Sequence, residues 1–383
     1  MDKEVLQPLS DAGRSSMRRV LVVGPVPPPR GGVFSVMQNI ANSDLSNEYI
    51  FETFARSDVP ADAQGLIGRN LFRAKRFFRF FNLVRKGDYR FVHIHSPDSV
   101  FLGSAVFMLL SRLAGVKTLL HMHGTDWDLF YRNAPWFAKL YKRIGLGLAC
   151  RIVVLYQLWV DEIKKLLPSA DVRVLRNFVP PQDPPDPGEI ERVRESLDLT
   201  KENFVVLTVG WMGQNKGSYE ILKAVPKVVA QDDSIRFVLL GAEEQPGDMA
   251  CLSAIVEKEN LGPWVRLRGE VERDKVPPFY GAADVFLLPS FSEGMPMTII
   301  EAMQSGLPVI ATPVSAIPDM IQHGVSGWLI NPGSPEEIAE SVLRLKQDGA
   351  LRRKLAEAGK AVFEEKFEFS RGIGEIRRLY ESM

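Results

Sequence analysis

Short, almost continuously apolar runs recur along this chain, each followed by a stretch with helical spacing. The runs are residues 19–24 (RVLVVG), 90–95 (RFVHIH), 117–123 (KTLLHMH), 151–155 (RIVVL), 172–176 (VRVLR), 204–210 (FVVLTVG), 237–241 (FVLLG), 264–271 (WVRLRGEV), 284–288 (DVFLL) and 309–311 (VIA). Runs of this kind, rich in Val, Ile and Leu and lacking strict alternation, are the pattern of strands covered on both faces in a parallel sheet. Helical periodicity follows at 33–42, 69–86, 219–229, 297–304, 335–347, 351–363 and 372–380. The alternation runs through both halves of the chain, and the prolines of residues 180–187 (PPQDPPDP) break any regular element between them. With 383 residues there is chain enough for two cores. The expectation is an α/β protein of two Rossmann-like domains with parallel sheets. Residues 1–17 form a loose tail, 18–179 the first domain, 180–365 the second, and 366–383 a terminal helix.

Composition narrows the field. Lys plus Arg and Asp plus Glu both total 47, so bulk charge gives no reason to expect a nucleic-acid partner. Cys150 and Cys251 lie too far apart in sequence for metal-ligand spacing and are expected to be small buried residues in a reducing cytoplasm. The first residues carry no apolar signal core. The most hydrophobic run, 100–110, is closed by Ser111 and Arg112 and is too short to span a bilayer.

Candidate chemistry gathers at residues 289–308, PSFSEGMPMTIIEAMQSGLP. Glu293 precedes a predicted helix and Glu301 lies about a turn inside it. Free amides at a helix start attract anions, and a nearby carboxylate takes sugar hydroxyls, so the segment suits a ligand with both phosphate and sugar. A capping glutamate plus a solvated one is the plainer alternative. Gly31 and Gly32 let backbone approach a ligand where a helix begins, or form a simple tight turn. Lys216 beside Gly217, again at a helix start, reads as a phosphate site or as an exposed loop lysine. His93, His95, His121 and His123 fall at the carboxyl ends of two predicted strands, where ligands of open α/β sheets bind. Two His-x-His pairs allow a zinc reading, but no further ligand completes such a site in sequence. His93 and His121 are expected inside, with His95 and His123 nearer the strand ends.

Residues 69–86 hold Arg69, Arg73, Lys75, Arg76, Arg79, Arg85 and Lys86 with no acid, interleaved with Phe72, Phe77, Phe78, Phe80, Phe81 and Leu83. A basic aromatic helix either lies on an anionic membrane or turns its Phe stripe to a core. The segment WFAKLYKR at 136–143 has the same character.

The 289–308 segment resembles the signature of the retaining glycosyltransferases of family 4, whose fold is called GT-B: PS-x-x-E-G, then E-A-M-x-x-G-x-P-V, with seven residues between the glutamates. Every fixed position matches. The resemblance covers about residue 18 to the end and is strongest over 204–332. It implies two domains facing across a cleft, a nucleotide-diphosphate sugar as donor, retention of anomeric configuration, and no metal or other cofactor. It implies that Glu301 holds the ribose, that Glu293 contacts the donor sugar, and that Lys216, Gly217 and the helix start at Gly294, Met295, Pro296 and Met297 serve the diphosphate. Gly269, Glu270 and Val271 hold the base; Gly31 and Gly32 face the diphosphate; His123 reaches the donor sugar. His95 and Asp126 are placed on the acceptor side. Asp126-Trp127-Asp128 also matches a metal-binding Asp-x-Asp of the other large glycosyltransferase fold, but its surroundings are not of that kind. Two positions depart from the family: Trp211 stands for the usual arginine before Lys216, so that either another basic residue such as Arg30 substitutes or leaving-group stabilisation is weaker, and Phe178 stands for the glycine after Asn177. The expected activity is transfer of a hexose-type sugar to a glycan or lipid-linked acceptor in the cytoplasm, with contact to the inner membrane leaflet through 69–86 left open. A non-catalytic sugar-binding assembly partner and a nucleotide-sugar epimerase are the alternatives; a phosphorylase would need pyridoxal phosphate and a longer chain.

Overall fold

The computed structural model describes residues 17–25, 31–56, 65–97, 101–124 and 127–383. The tail, Arg30 and Asp126 lie outside the described residues. The chain divides into two compact units, one of Met1–Asn177 with Phe369–Met383 and one of Phe178–Glu368.

The first unit is a parallel sheet of β1 (Arg18–Gly24), β2 (Tyr49–Ala55), β3 (Tyr89–Ser96), β4 (Lys117–Met122), β5 (Arg151–Val154) and β6 (Val172–Val174), in the order β2-β1-β3-β4-β5-β6. Its crossovers are α1 (Gly32–Ala41), α2 (Gly65–Lys86), α3 (Phe101–Leu113), α4 (Trp136–Leu148) and α5 (Gln157–Leu166). From β2 to β3, β3 to β4 and β4 to β5 the chain moves the same way along the sheet. Right-handed crossovers therefore stack α2, α3 and α4 side by side on one face, with α1 on the other.

The Phe stripe of α2 is divided. Phe80 is buried, 5.2 Å ring to ring from Phe54 and 4.7 Å from Phe107 of α3, and Phe77 lies 5.1 Å from Phe107. Phe78 and Leu71 point to solvent. The helix thus uses its aromatic residues both ways, because a helix on a sheet can bury only one face.

The last helix, α14 (Phe369–Glu381), packs back onto this unit. Tyr380 is fully buried, edge-on to Tyr49 at 5.3 Å and Phe91 at 4.9 Å, with its hydroxyl 2.8 Å from His93 Nδ1.

The second unit repeats the plan with β7 (Phe204–Val209), β8 (Ile235–Leu240), β9 (Val265–Arg268), β10 (Val285–Leu288), β11 (Val309–Ala311) and β12 (Trp328–Leu329), parallel, in the order β12-β11-β10-β7-β8-β9. Around it lie α6 (Pro187–Ser196), α7 (Ser218–Val229), α8 (Asp248–Lys258), α9 (Pro277–Gly281), α10 (Met297–Gln304), α11 (Ile317–Met320), α12 (Pro335–Gln347) and α13 (Gly349–Lys366). Its core includes Ile221, Val225, Phe237, Leu239, Val285, Leu287 and Val342, all fully buried. Phe178 and Val179 are buried at the start of this unit, where Val179 bridges to Glu368. The break at 180–186 has no regular element, and α6 begins on Pro187.

The cysteines do not lie where composition put them. Both are exposed: Cys150 follows α4 at the entry to β5, and Cys251 is on the outer side of α8, whose neighbour Leu252 takes the core position.

Tyr380→Ala should lower the unfolding free energy of the first unit by about 3–5 kcal/mol. Tyr380→Phe, which keeps the packing and loses only the hydrogen bond, should cost about 1 kcal/mol. Urea unfolding of the full chain measures both; equal losses would show that the ring packing is not what ties α14 down.

Candidate active site

In the second unit, β7 and β10 are neighbours and both end towards the same edge. The loop after β7 runs Gly210 to Gly217 into α7, and the loop after β10 runs Pro289 to Pro296 into α10. These two loops are bound to each other. Gly217 takes a left-handed φ of 73°, and a Cβ there would stand 2.3 Å from the Pro289 carbonyl oxygen. Only glycine allows that approach. Asn215 fastens it: its carbonyl accepts from Phe291 N at 2.8 Å, its side-chain amide donates to Ser292 O at 3.1 Å, and its backbone N–H donates to Glu244 at 2.9 Å.

The approach brings Lys216 to Glu293. Lys216 Nζ lies 2.6 Å from Glu293 Oε1, and the side chains are 17% and 6% exposed. Ser290 Oγ donates to the same oxygen at 2.7 Å, and Thr312 Oγ1 holds the Ser290 carbonyl at 2.5 Å. A largely buried ion pair with an added hydroxyl donor keeps its geometry far better than a surface pair.

α10 begins at Pro296 with no side-chain cap, as α7 does at Gly217. α8, α9 and α11 also lack a side-chain cap, while α6, α12 and α13 are capped by Asp186, Ser334 and Asp348. The two loop helices thus present backbone amides that no side chain of their own N-cap residue covers, and such ends favour anions. Gly294, Met295 and Met297 line this turn; Gly294 O accepts from Ala316 N at 3.3 Å, and both methionines are buried.

Glu301 sits in the second turn of α10. Tyr280 donates to its Oε2 at 2.9 Å, and Arg273 approaches Oε1 at 3.6 Å. Burial holds its pKa above the ordinary value, against the Arg273 charge and the Tyr280 hydrogen bond. Burial and the Glu301 charge in turn push the Tyr280 phenol well up. Arg273 opens a short turn just beyond exposed Gly269 and Glu270 and half-buried Val271, so the segment after β9 is joined to Glu301. Trp211, 38% exposed, stands at the start of the β7–α7 loop. Ser290, Asn215, Tyr280 and Arg273 carry the geometry and were missed by sequence reasoning. Ser290 lay inside the matched motif; the others give no local pattern.

In the first unit, Gly31 (φ 112°) leads into α1 at Gly32, again with no side-chain cap. The four histidines form one buried cluster. His95 of β3 is opposite His121 of β4, and ring centroids of sequence-paired histidines stand 4.2 Å (His93–His95) and 4.1 Å (His121–His123) apart. His95 Nδ1 lies 2.9 Å from His123 Nε2. His95 is fully buried behind His123, so it is placed to orient that residue rather than to meet an acceptor. Burial is the leading cause holding all four pKa values down, that of His121 to about 3. Nitrogen atoms of His93, His95 and His121 come within 4.8 Å of one another, yet among the described residues no carboxylate or thiolate joins them. The rings of His121 and His123 stack rather than converge edge-on, and the Arg56 guanidinium donates to the His95 carbonyl at 2.6 Å. Rings stacked on one another beside a fixed cation fit poorly with a bound divalent ion.

Family models match both units. The family described as "Glycosyl transferases group 1" matches residues 189–362, and the "Glycosyl transferase 4-like domain" matches residues 13–178. The chain is 26% identical over 292 residues to the UDP-Gal:alpha-D-GlcNAc-diphosphoundecaprenol alpha-1,3-galactosyltransferase of Escherichia coli, covering 72% of this chain and 71% of that protein. It is 25% identical over 304 residues to the alpha-D-kanosaminyltransferase of Streptomyces kanamyceticus, covering 76% and 77%. Among solved structures, Anabaena Alr3699/HepE in complex with UDP and glucose superposes with a TM-score of 0.77 at 18% identity, over 96% of this chain and 100% of that one.

The histidine cluster has a pH signature. Each ring is neutral when folded but takes up a proton in the unfolded chain below the ordinary value of 6.5. Stability is therefore full above that value and falls as pH drops below it, towards the depressed folded values. The slope should be about 1.4 kcal/mol per pH unit for each imidazole. Urea unfolding between about pH 7.5 and pH 5, above the ordinary carboxylate range, measures it; a flat profile would show the rings to be protonated or exposed.

Proposed function

From its place in the glycosyl transferases group 1 family, to which this chain belongs as a glycosyltransferase of GT-B fold, we propose that it moves a hexose-type sugar with retention. The donor is a nucleotide-diphosphate sugar, and the acceptor is a glycan or lipid-linked saccharide in glycan biosynthesis. The observation that carries the reading is the Lys216–Glu293 pair held between two uncapped helix starts, with Glu301 in the second turn of α10. It joins anion-binding amides, one lysine and two carboxylates, which is what a sugar diphosphate needs.

The roles follow from the chemistry of each group. The bond from the sugar anomeric carbon to the diphosphate oxygen breaks, and a bond from that carbon to the acceptor oxygen forms on the same face. The acceptor proton passes to the departing phosphate oxygen. Negative charge grows on the diphosphate, where Lys216 and the amides near Gly217, Gly294, Met295, Pro296 and Met297 stabilise it. Positive charge grows at the anomeric carbon, which Glu293 supports. Glu301, fixed by Tyr280, takes the ribose hydroxyls, and Gly269, Glu270 and Val271 take the base. From the first unit we assign Gly31 and Gly32 to the diphosphate, His123 to the donor sugar and Asp126 to the acceptor. The diphosphate charge is met by protein groups, so the reading needs no metal, and transfer should persist in excess chelator. The Escherichia coli relative uses a UDP sugar and a diphosphoundecaprenol-linked acceptor by its name, which supports testing uridine donors first.

Lys216→Ala should cost about 2–4 kcal/mol of transition-state stabilisation, read as kcat/KM for transfer. A normal rate would show that the diphosphate is held elsewhere. Melting curves must accompany it, since the substitution also leaves Glu293 buried without its partner. Glu301→Ala should weaken donor binding, seen as a lost thermal shift with UDP, GDP or ADP sugars; unchanged affinity removes its ribose role.

A further inference from the structure

α2, α3 and α4 lie side by side on one face of the first sheet, and their outer surfaces are unlike the rest of the protein. Nine of the thirteen large apolar side chains exposed among the described residues come from these three helices. α2 gives Leu71 and Phe78, α3 gives Leu102, Leu109 and Leu113, and α4 gives Trp136, Phe137, Leu140 and Ile144. The three helices contain no aspartate or glutamate. Exposed basic heads stand among the apolar groups: Arg69, Arg73, Lys75 and Arg79 on α2, Arg112 on α3 and Arg143 on α4. The acid-free field ends at α5, where Glu162 pairs with Arg132 at 3.7 Å.

We propose that this three-helix face is a docking surface for an anionic lipid bilayer, with the Trp136, Phe137, Leu140 and Ile144 stripe of α4 entering the acyl boundary and the basic groups at the phosphates. The stripe has the geometry for it. Trp136, Phe137, Leu140 and Ile144 follow helical spacing on the outer side, while Ala138, Lys142, Gly145 and Leu146 face inward. Trp136 is 76% exposed, more than any other large apolar residue described. An isolated helix with an apolar stripe and basic flanks lies in the plane of a membrane; three fixed side by side offer a larger area. No helix among the described residues is long and apolar enough to cross a membrane, so the attachment is to a surface.

Charge chooses the occupant. A second copy meeting this face with its own would bring basic groups against basic groups. A nucleic acid would satisfy the arginines but leave Leu109, Leu113, Leu140 and Ile144 without a partner. Anionic lipid answers both halves, with phosphates for the cations and acyl chains for the aliphatic groups. None of the exposed side chains that form this surface is among the residues assigned to the donor or acceptor, so the proposal stands or falls apart from the catalytic reading.

The test uses the full chain and sedimentation with vesicles of phosphatidylcholine, with and without about 30% phosphatidylglycerol. Expected is binding to the anionic vesicles, weak binding to neutral ones, and loss of binding in high salt. The triple variant Trp136→Ser, Phe137→Ser, Leu140→Ser should lower partition about tenfold or more, with melting temperature and donor thermal shift unchanged because these side chains are exposed. Brominated lipids should quench tryptophan fluorescence in the wild type, and the quench should be lost in Trp136→Phe. No binding, equal binding to neutral vesicles, or a triple variant that partitions like wild type overturns the proposal. So does a solution dimer that the triple variant dissolves, which would assign the face to a second copy.

Discussion

The candidate active site of the second unit depends on how closely two loops pass each other. The loops after β7 and β10 meet where Gly217 would place a Cβ within 2.3 Å of the Pro289 carbonyl. A side chain there would push the loops apart until that contact exceeded 3.0 Å. Lys216 is the residue just before it, so its ammonium would move with the loop and its contact with Glu293 would be lost. Asn215 then has three hydrogen bonds to hold what the glycine permits. Backbone approach comes first, side-chain clamp second and ion pair third, and the chemistry is available only if all three hold.

Much of this was legible in the sequence, and the reason is local. Near-continuous apolar runs specify doubly covered strands, and α10 and α12 have the bounds their spacing predicts. Glu293, Lys216 and Gly217 could be named as candidates because each sits at a strand-to-helix turn, and Glu301 because the same matched motif carries it a turn further into α10. Tyr280 and Arg273 were not found. They reach Glu301 from 21 and 28 positions away in the chain, and nothing near them in sequence marks that contact. The cysteines were misplaced because composition records how often a residue type is buried, not which side of α8 faces out. His95 was expected near a strand end and on the acceptor side; its ring is fully buried, with Nδ1 against His123 Nε2.

The two units handle charge in opposite ways. In the first, burial strips charge from four imidazoles, and stacking with one His–His hydrogen bond and one to Tyr380 replaces water. Several of their nitrogens, including both of His121, have no partner among the described residues. That is a desolvation cost that neutral rings can bear and charged rings cannot. In the second unit the charges are kept and paired, Lys216 with Glu293 and Arg273 with Glu301. A site that keeps its charges can exchange partners when a charged ligand arrives; a cluster that has shed them serves as scaffold and orientation.

Trp211 sharpens what such an exchange requires. With an indole where the family carries arginine, Lys216 is the cation the β7–α7 loop offers, and in the free protein it is already held by Glu293. Pulling it away outright would leave a buried carboxylate unpaired, which costs several kcal/mol. A diphosphate does not have to do that. An ammonium has three donors and no fixed plane, so Lys216 can keep Glu293 on one side while turning towards an anion on the other. Arginine, a rigid fork, would serve this double contact less well. Ser290 holds the Glu293 oxygen that Lys216 shares, so the carboxylate stays in place as the ammonium reorients. On the proposed reading, the departure at 211 leaves this loop with a lysine whose chemistry allows one ammonium to meet the carboxylate and an anion together.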